Sequence, residues 1–159
     1  ALWTGQRQGD LLQLPWSAYN GETIRLRQNK TKMAIEVPVG APLKAALQKT
    51  LDRYRSDNVP LPETILATER GTAWTEGGFR ASWRKACIKA GVKGVTFHDL
   101  RGTAVTRLAI AGATVPEIAT ITGHKLKEVG SILDAHYMSR DRALGQAAIR
   151  KLEESNSPK

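Results

Sequence analysis

The stretch TFHDLRGTAVTRLAIAGATVPEIATITGH, residues 96–124, decides how this chain reads. Thr96-x-x-Asp99 is a weak capping box in front of a helical pattern over Phe97–Ala111. Thr114-Val-Pro-Glu117 is a stronger box, opening a short helix that stops at Gly123. His98 and Arg101 are three apart on the first helix and so share a face. Gly123-His124 sets an imidazole at the end of an element, where the backbone is free to present it.

Toward the C-terminus a further helix is expected from about Leu126 to Asp134, and a last one from Ser139 to Glu153. Tyr137 falls between them in His-Tyr-Met-Ser, where packing does not obviously require a tyrosine. Leu144, Ala148 and Leu152 form a narrow stripe on the last helix, which suits packing on its own domain or docking on a neighbouring copy.

Toward the N-terminus, Thr75 caps a helix with Phe79, Trp83 and Ala86 on one face, ending at Gly91. Pro42 suits the first turn of a helix carrying Leu43, Leu47 and Leu51. Residues 56–63 form a loop, and Thr64–Thr68 reads as a short strand. Asn20-Gly21 is a hairpin turn signal. The alternating runs Thr23–Arg27 and Met33–Val39 flank the polar tip Gln28–Lys32, giving a small antiparallel sheet. Residues 4–14 suit a short helix with Leu11, Leu12 and Leu14 inward. The fold class is therefore α+β, mainly helical, with the sheet near the N-terminus.

The 159 residues make one ordinary domain, long enough for a core without staples. No apolar run approaches the ~20 residues of a membrane span. Cys87 is the single cysteine, expected as a small buried thiol in a reducing cytoplasm, and no Cys/His cluster has zinc spacing. Charge is more informative. Lys and Arg number 24 against 15 Asp and Glu, a net +9. Residues 1–79 hold 10 basic and 8 acidic side chains, and residues 80–159 hold 14 and 7. Such an excess favours a polyanionic partner, most often nucleic acid.

Together, ALWTGQRQGDLLQLPW, the QNKTK hairpin, FHDLRGTAVTRLA, ITGH and HYMSRD resemble, in order and spacing, the catalytic domain of tyrosine recombinases of the phage-integrase type. The likeness covers roughly residues 1–150, and His98-x-x-Arg101 followed by Gly123-His124 and Tyr137 is its most specific part. It implies one catalytic domain over residues 1–154, a disordered tail at 155–159, and a longer parent whose N-terminal core-binding domain is absent here. It implies Arg7 as the first catalytic arginine, Lys30 as the hairpin lysine, Arg101 as the second arginine and Tyr137 as the nucleophile. His98 and His124 complete the pocket, and Asp10 supports it from behind. Lys30 is favoured over Lys32 as the Lys of the Lys-Thr pair, and Tyr137 over Tyr19 and Tyr54, which do not follow the Gly-His motif. The gap from His124 to Tyr137 is longer than in compact family members. Double-stranded DNA is the implied partner, with a homotetramer on DNA, no cofactor, no metal and no membrane. A cytoplasmic, DNA-associated, bacterial or phage-encoded protein is the implied setting.

The chemistry explains these residue types. Transesterification at a phosphodiester gathers negative charge on the non-bridging oxygens, and two guanidiniums clamp them with permanently charged, bidentate donors. His124 can add a hydrogen bond. A tyrosine of pKa near ~10 must lose its proton to attack, and His98 is the candidate base. Lys30 can protonate the 5′-oxygen leaving group. The 3′-phosphotyrosyl product conserves the ester energy, so religation needs neither ATP nor metal. Two other readings stay open. A type IB topoisomerase would use nearly the same pocket for relaxation alone. Leu108–Ala119 partly resembles a helix-turn-helix, as in a non-catalytic DNA-binding module.

Overall fold

The structure, a computed structural model, describes residues 1–137 and 142–156, with residues 136, 137, 143, 144, 155 and 156 described by backbone alone. In chain order the elements are α1 (Gln8–Leu12), a 3-10 turn (Trp16–Ala18), β1 (Thr23–Arg27), β2 (Ala34–Pro38), α2 (Ala41–Ser56), α3 (Glu76–Lys89), α4 (Asp99–Ile110), α5 (Val115–Thr122), α6 (Leu126–Tyr137) and α7 (Arg142–Asn156). It is a mainly helical α+β fold with one two-stranded antiparallel sheet.

Alternation sets the sheet's register. Ile24 pairs with Val37 and Leu26 with Ile35, while Arg25 meets Glu36 on the exposed face at 2.9 Å. Asn20 closes the turn before β1: its Oδ1 accepts from the amides of Glu22 and Thr23, and Gly21 takes φ +97°. The inner face of the sheet joins Leu11, Leu14, Trp16 and Leu47 in one apolar cluster, with Leu43, Leu51 and Phe97 half-buried against it. A second cluster, Val105, Ala109, Ile118, Val129 and Leu133, ties α4, α5 and α6 together. Burying side chains of this size stabilises by about 1.5–3 kcal/mol each, so the two clusters fix the frame.

The Thr75 and Thr114 caps form as the sequence predicts, and the Thr96 box forms only in half. Thr75 Oγ1 accepts from the amide of Gly78, and Thr114 and Glu117 close a reciprocal box at α5. Thr96 is held through the Asp99 carboxylate, which accepts from its amide and its hydroxyl; those bonds hold the Asp99 carboxyl below its ordinary range.

Several expectations are revised. The short N-terminal helix covers only Gln8–Leu12, because Gly5 turns left-handed at φ +62° and Pro15 follows closely. Thr64–Thr68 forms no strand; Thr64 makes an isolated bridge to Pro15 and Ala67 one to Ala73. On α3 the inward stripe is Phe79, Trp83 and Cys87, spaced by four, and Ala86 is exposed. Cys87 is half-buried, not buried. The helix after Thr96 begins at Asp99 and leaves His98 as its cap. Tyr137 is the last residue of α6, since Ala135 and His136 bring no helix breaker. The last helix ends at Asn156, while Ser139 at its expected start and residues 157–159 of the expected tail lie outside the described residues. Lys151 Nζ of α7 donates to the carbonyl of Gly112, so this helix contacts its own domain beside α4.

Candidate active site

The site forms where the loop before α1, the β1–β2 hairpin, the start of α4 and the end of α5 meet. Gly5 is required at this crossing: its φ is +62°, and a Cβ there would run into the Thr122 side chain. Gly123 ends α5 at φ +66°, and a Cβ on it would meet Ile35 and the Gln28 amide. Both glycines let backbone pass close enough for four buried polar side chains to interlock.

Arg101 is only 3% exposed. Its Nη1 donates to the carbonyls of Gly5 and Thr122, the latter at 2.7 Å, which fixes the guanidinium against two different segments. Its Nη2 is buried with no hydrogen-bond partner among the described residues. Burial and the neighbouring Arg7 charge push its pKa down to about 10, against the carboxylates of Asp10 and Glu128, so it remains protonated at neutral pH.

Arg7 lies half-buried at the cap of α1, and its Nη1 donates to Gln28 Oε1 at 2.9 Å. Gln28 is fully buried and uses its whole amide. Its oxygen also accepts from Thr31 Oγ1 at 2.7 Å, and its nitrogen donates to Gln6 Oε1 at 2.7 Å and to the Thr122 carbonyl at 3.0 Å. Gln6 in turn donates to the carbonyls of Thr4 and Ile121. Gln28 thus links the hairpin, Arg7 and the end of α5. In the sequence it stands only in a polar tip, two residues before Lys30, and the mate to its amide lies 94 positions away.

Asp10 is buried, with Oδ1 accepting the Asn29 amide at 2.8 Å, so it holds the base of the hairpin. Its other oxygen has no hydrogen-bond partner among the described residues. His124 is half-buried, with Nδ1 2.8 Å from Thr122 Oγ1. Burial first, and then the charges of Arg101 and Arg7, push its pKa down to about 4, with Glu128 opposing. His98 is exposed at the rim and close enough for its charge to act on His124.

The fold therefore brings Arg7, Asp10, His98, Arg101 and His124 together, with Glu128 added at the start of α6. Glu128 had no sequence signal beyond its place four residues after His124. Lys30 stays outside the cluster, exposed in the hairpin loop and without a hydrogen bond or ion pair to the described residues. The Tyr137 side chain lies outside the described part, although its backbone ends α6. Among the described residues no three His, Cys, Asp or Glu side chains gather as a metal site. No helix there is long and apolar enough to cross a membrane.

Beside Arg7 and His98 a groove of about 940 Å³ runs between α1, α3 and the loop before α4. Trp83, Ile88, Val95 and Phe97 make its walls apolar, and Arg80, Arg84 and Lys93 add cations. Phe79 and Trp83 meet Phe97 edge-on at 4.8 and 5.1 Å, so α3 is tied to the loop carrying His98 by ring contacts.

Comparison with known proteins places the chain, family first and fold second. Residues 1–139 match the phage integrase family, and the chain belongs to it. The integrase of Mycobacterium phage FRAT1 is 26% identical over 162 residues, which is 91% of this chain and 49% of that protein. A lambda integrase dimer bound to a COC′ core site superposes with a TM-score of 0.69 at 25% identity, covering 83% of this chain and 48% of that one. A lambda integrase tetramer bound to a Holliday junction gives 0.61 at 28% identity, over 79% and 38%. The chain spans about half the length of the phage FRAT1 integrase. The fold is that of tyrosine-recombinase catalytic domains.

Proposed function

We propose that this chain is the catalytic domain, residues 1–154, of a site-specific DNA recombinase that cuts and rejoins strands through a phosphotyrosine. The observation that carries this reading is Arg101: a buried guanidinium, held by two carbonyls, whose second nitrogen has no acceptor among the described residues. A buried N–H without a partner costs about 1–3 kcal/mol, and a phosphate oxygen would remove that cost. Arg7 stands beside it, so two permanently charged groups converge where an anion would sit.

In this reading the scissile phosphate lies between Arg7 and Arg101, with His124 at its side. The Tyr137 hydroxyl attacks phosphorus and passes its proton to His98 at the rim. The bond to the 5′-oxygen breaks, and Lys30 supplies that oxygen's proton after the hairpin closes on DNA. The 5′-hydroxyl of the partner strand then reverses the steps, reforming a diester and freeing Tyr137. No cofactor or metal enters. Asp10 and Gln28 keep the hairpin and Arg7 in place. The cations Arg80, Arg84 and Lys93 extend the positive rim along flanking DNA. The lambda integrase structures on a core site and on a Holliday junction support duplex DNA and a homotetramer as partners. Recombination is favoured over relaxation alone by the integrase matches.

Charge-preserving replacement tests the clamp. Arg7→Lys and Arg101→Lys should each slow strand cleavage by roughly 10²-fold or more, as loss of an oxyanion donor does, while DNA affinity changes far less. Equal losses in affinity and cleavage would make the two arginines ordinary phosphate anchors.

A further inference from the structure

Thr122 is buried completely, at the last turn of α5, and each of its polar oxygens has two contacts. Its carbonyl accepts from Arg101 and Gln28. Its hydroxyl oxygen lies 2.7 Å from the Ile118 carbonyl oxygen and 2.8 Å from His124 Nδ1. The hydroxyl has one hydrogen. Two oxygens at 2.7 Å need a hydrogen between them, and a carbonyl has none to give. The Thr122 proton is therefore committed to Ile118, and the contact with His124 must be bridged by a hydrogen on Nδ1. In the neutral ring this leaves Nε2 bare.

We propose that Thr122 is a positioning residue that holds His124 in the Nδ1–H tautomer, so that the ring meets the scissile phosphate with an acceptor and becomes a donor to it only by taking up a proton at Nε2. The functional half of this rests on the recombinase reading; the tautomer does not. Bare nitrogen and anionic oxygen repel, so engagement of the phosphate draws one proton from solvent onto Nε2, released when the phosphate leaves. The surroundings hold the free ring neutral: burial, Arg101 from α4, Arg7 from the N-terminal segment and His98 at the cap of α4 all oppose its charge, and among the described residues only Glu128 of α6 favours it. A phosphate between the arginines offsets their charge and lifts that opposition.

The test is nitrogen-15 NMR of the imidazoles in the 159-residue chain at neutral pH. Wild type and Thr122→Ser should show His124 as the Nδ1–H tautomer. Thr122→Val, nearly the same shape without the hydroxyl, should lose that preference. An Nε2–H ring in the wild type, or an Nδ1–H ring that survives Thr122→Val, overturns the proposal. Cleavage of a nicked duplex followed against pH then gives the second readout. Wild type and Thr122→Ser should lose rate by up to tenfold per unit on the alkaline side, and Thr122→Val should fall less steeply. Identical slopes in all three would refute proton uptake. If the tautomers behave as stated and no chain cleaves DNA, the recombinase reading fails and the positioning role of Thr122 stands.

Discussion

Gln28→Leu removes four hydrogen bonds while keeping most of the side-chain volume, and the four lost partners fare differently. Thr31 is exposed, and its hydroxyl turns to water. Arg7 is half-buried and also finds water. The Thr122 carbonyl keeps Arg101 at 2.7 Å. Gln6 Oε1 is the casualty: the residue is 1% exposed, and Gln28 is the donor recorded for that oxygen. Stranding one buried acceptor costs about 1–3 kcal/mol, and the remaining bonds contribute about 1 kcal/mol between them once water replaces them. The expected loss is about 2–4 kcal/mol. Urea unfolding followed by tryptophan fluorescence measures it, with an unchanged slope showing that the folded state stays compact. The double variant Gln6→Leu, Gln28→Leu should lose less than the sum of the single variants, because neither amide then strands the other. A loss below about 0.5 kcal/mol for Gln28→Leu, or strict additivity, would refute the interlocked network.

Gly123→Ala should cost about 3 kcal/mol, part from a left-handed φ and part from contact with Ile35 and Gln28, while Gly71→Ala, also left-handed at φ +76° but in open space, should cost only about 1–2 kcal/mol; equal urea midpoints would show that the close approach at Gly123 is absent. A 5′-bridging sulfur at the scissile bond leaves without a proton, so it should restore cleavage by Lys30→Ala and leave Arg101→Ala impaired; rescue of Lys32→Ala instead would move the acid by two residues. His124 has its folded pKa pushed down from 6.5 to about 4, so its contribution to stability is complete above pH 6.5 and is lost as pH falls toward 4. His124→Phe should therefore flatten the decline in melting temperature between those values, and an unchanged profile would show that the imidazole is not held neutral.

Local signals were legible before the structure. Alternation gave both strands, and the Thr75 and Thr114 caps gave the starts of α3 and α5. The candidate site was legible where a motif keeps its residues close in sequence, as His98 and Arg101 do. What stayed hidden depended on distant segments. That Gly5 must be glycine follows from Thr122, and the importance of Gln28 follows from Arg7 and Thr122; none of these pairs is local. The fold also separates neighbours in sequence. His98 and Arg101 were expected on one helical face, yet the helix starts between them, leaving one exposed and the other buried. Thr64–Thr68 failed as a strand because a bridge to Pro15 offers no continuing ladder.

The central claim is that Tyr137 becomes covalently joined to a 3′-phosphate in the clamp of Arg7 and Arg101. A library of nicked duplexes randomised across the cleavage core, offered to the protein in EDTA, traps such a product because the short 5′-ended fragment diffuses away. Peptide mapping of the trapped material should find the nucleotide on Tyr137, and Tyr137→Phe should trap nothing while still binding DNA. An adduct on Tyr19, Tyr54 or any other residue, or trapping that appears only when magnesium is restored, would contradict the account.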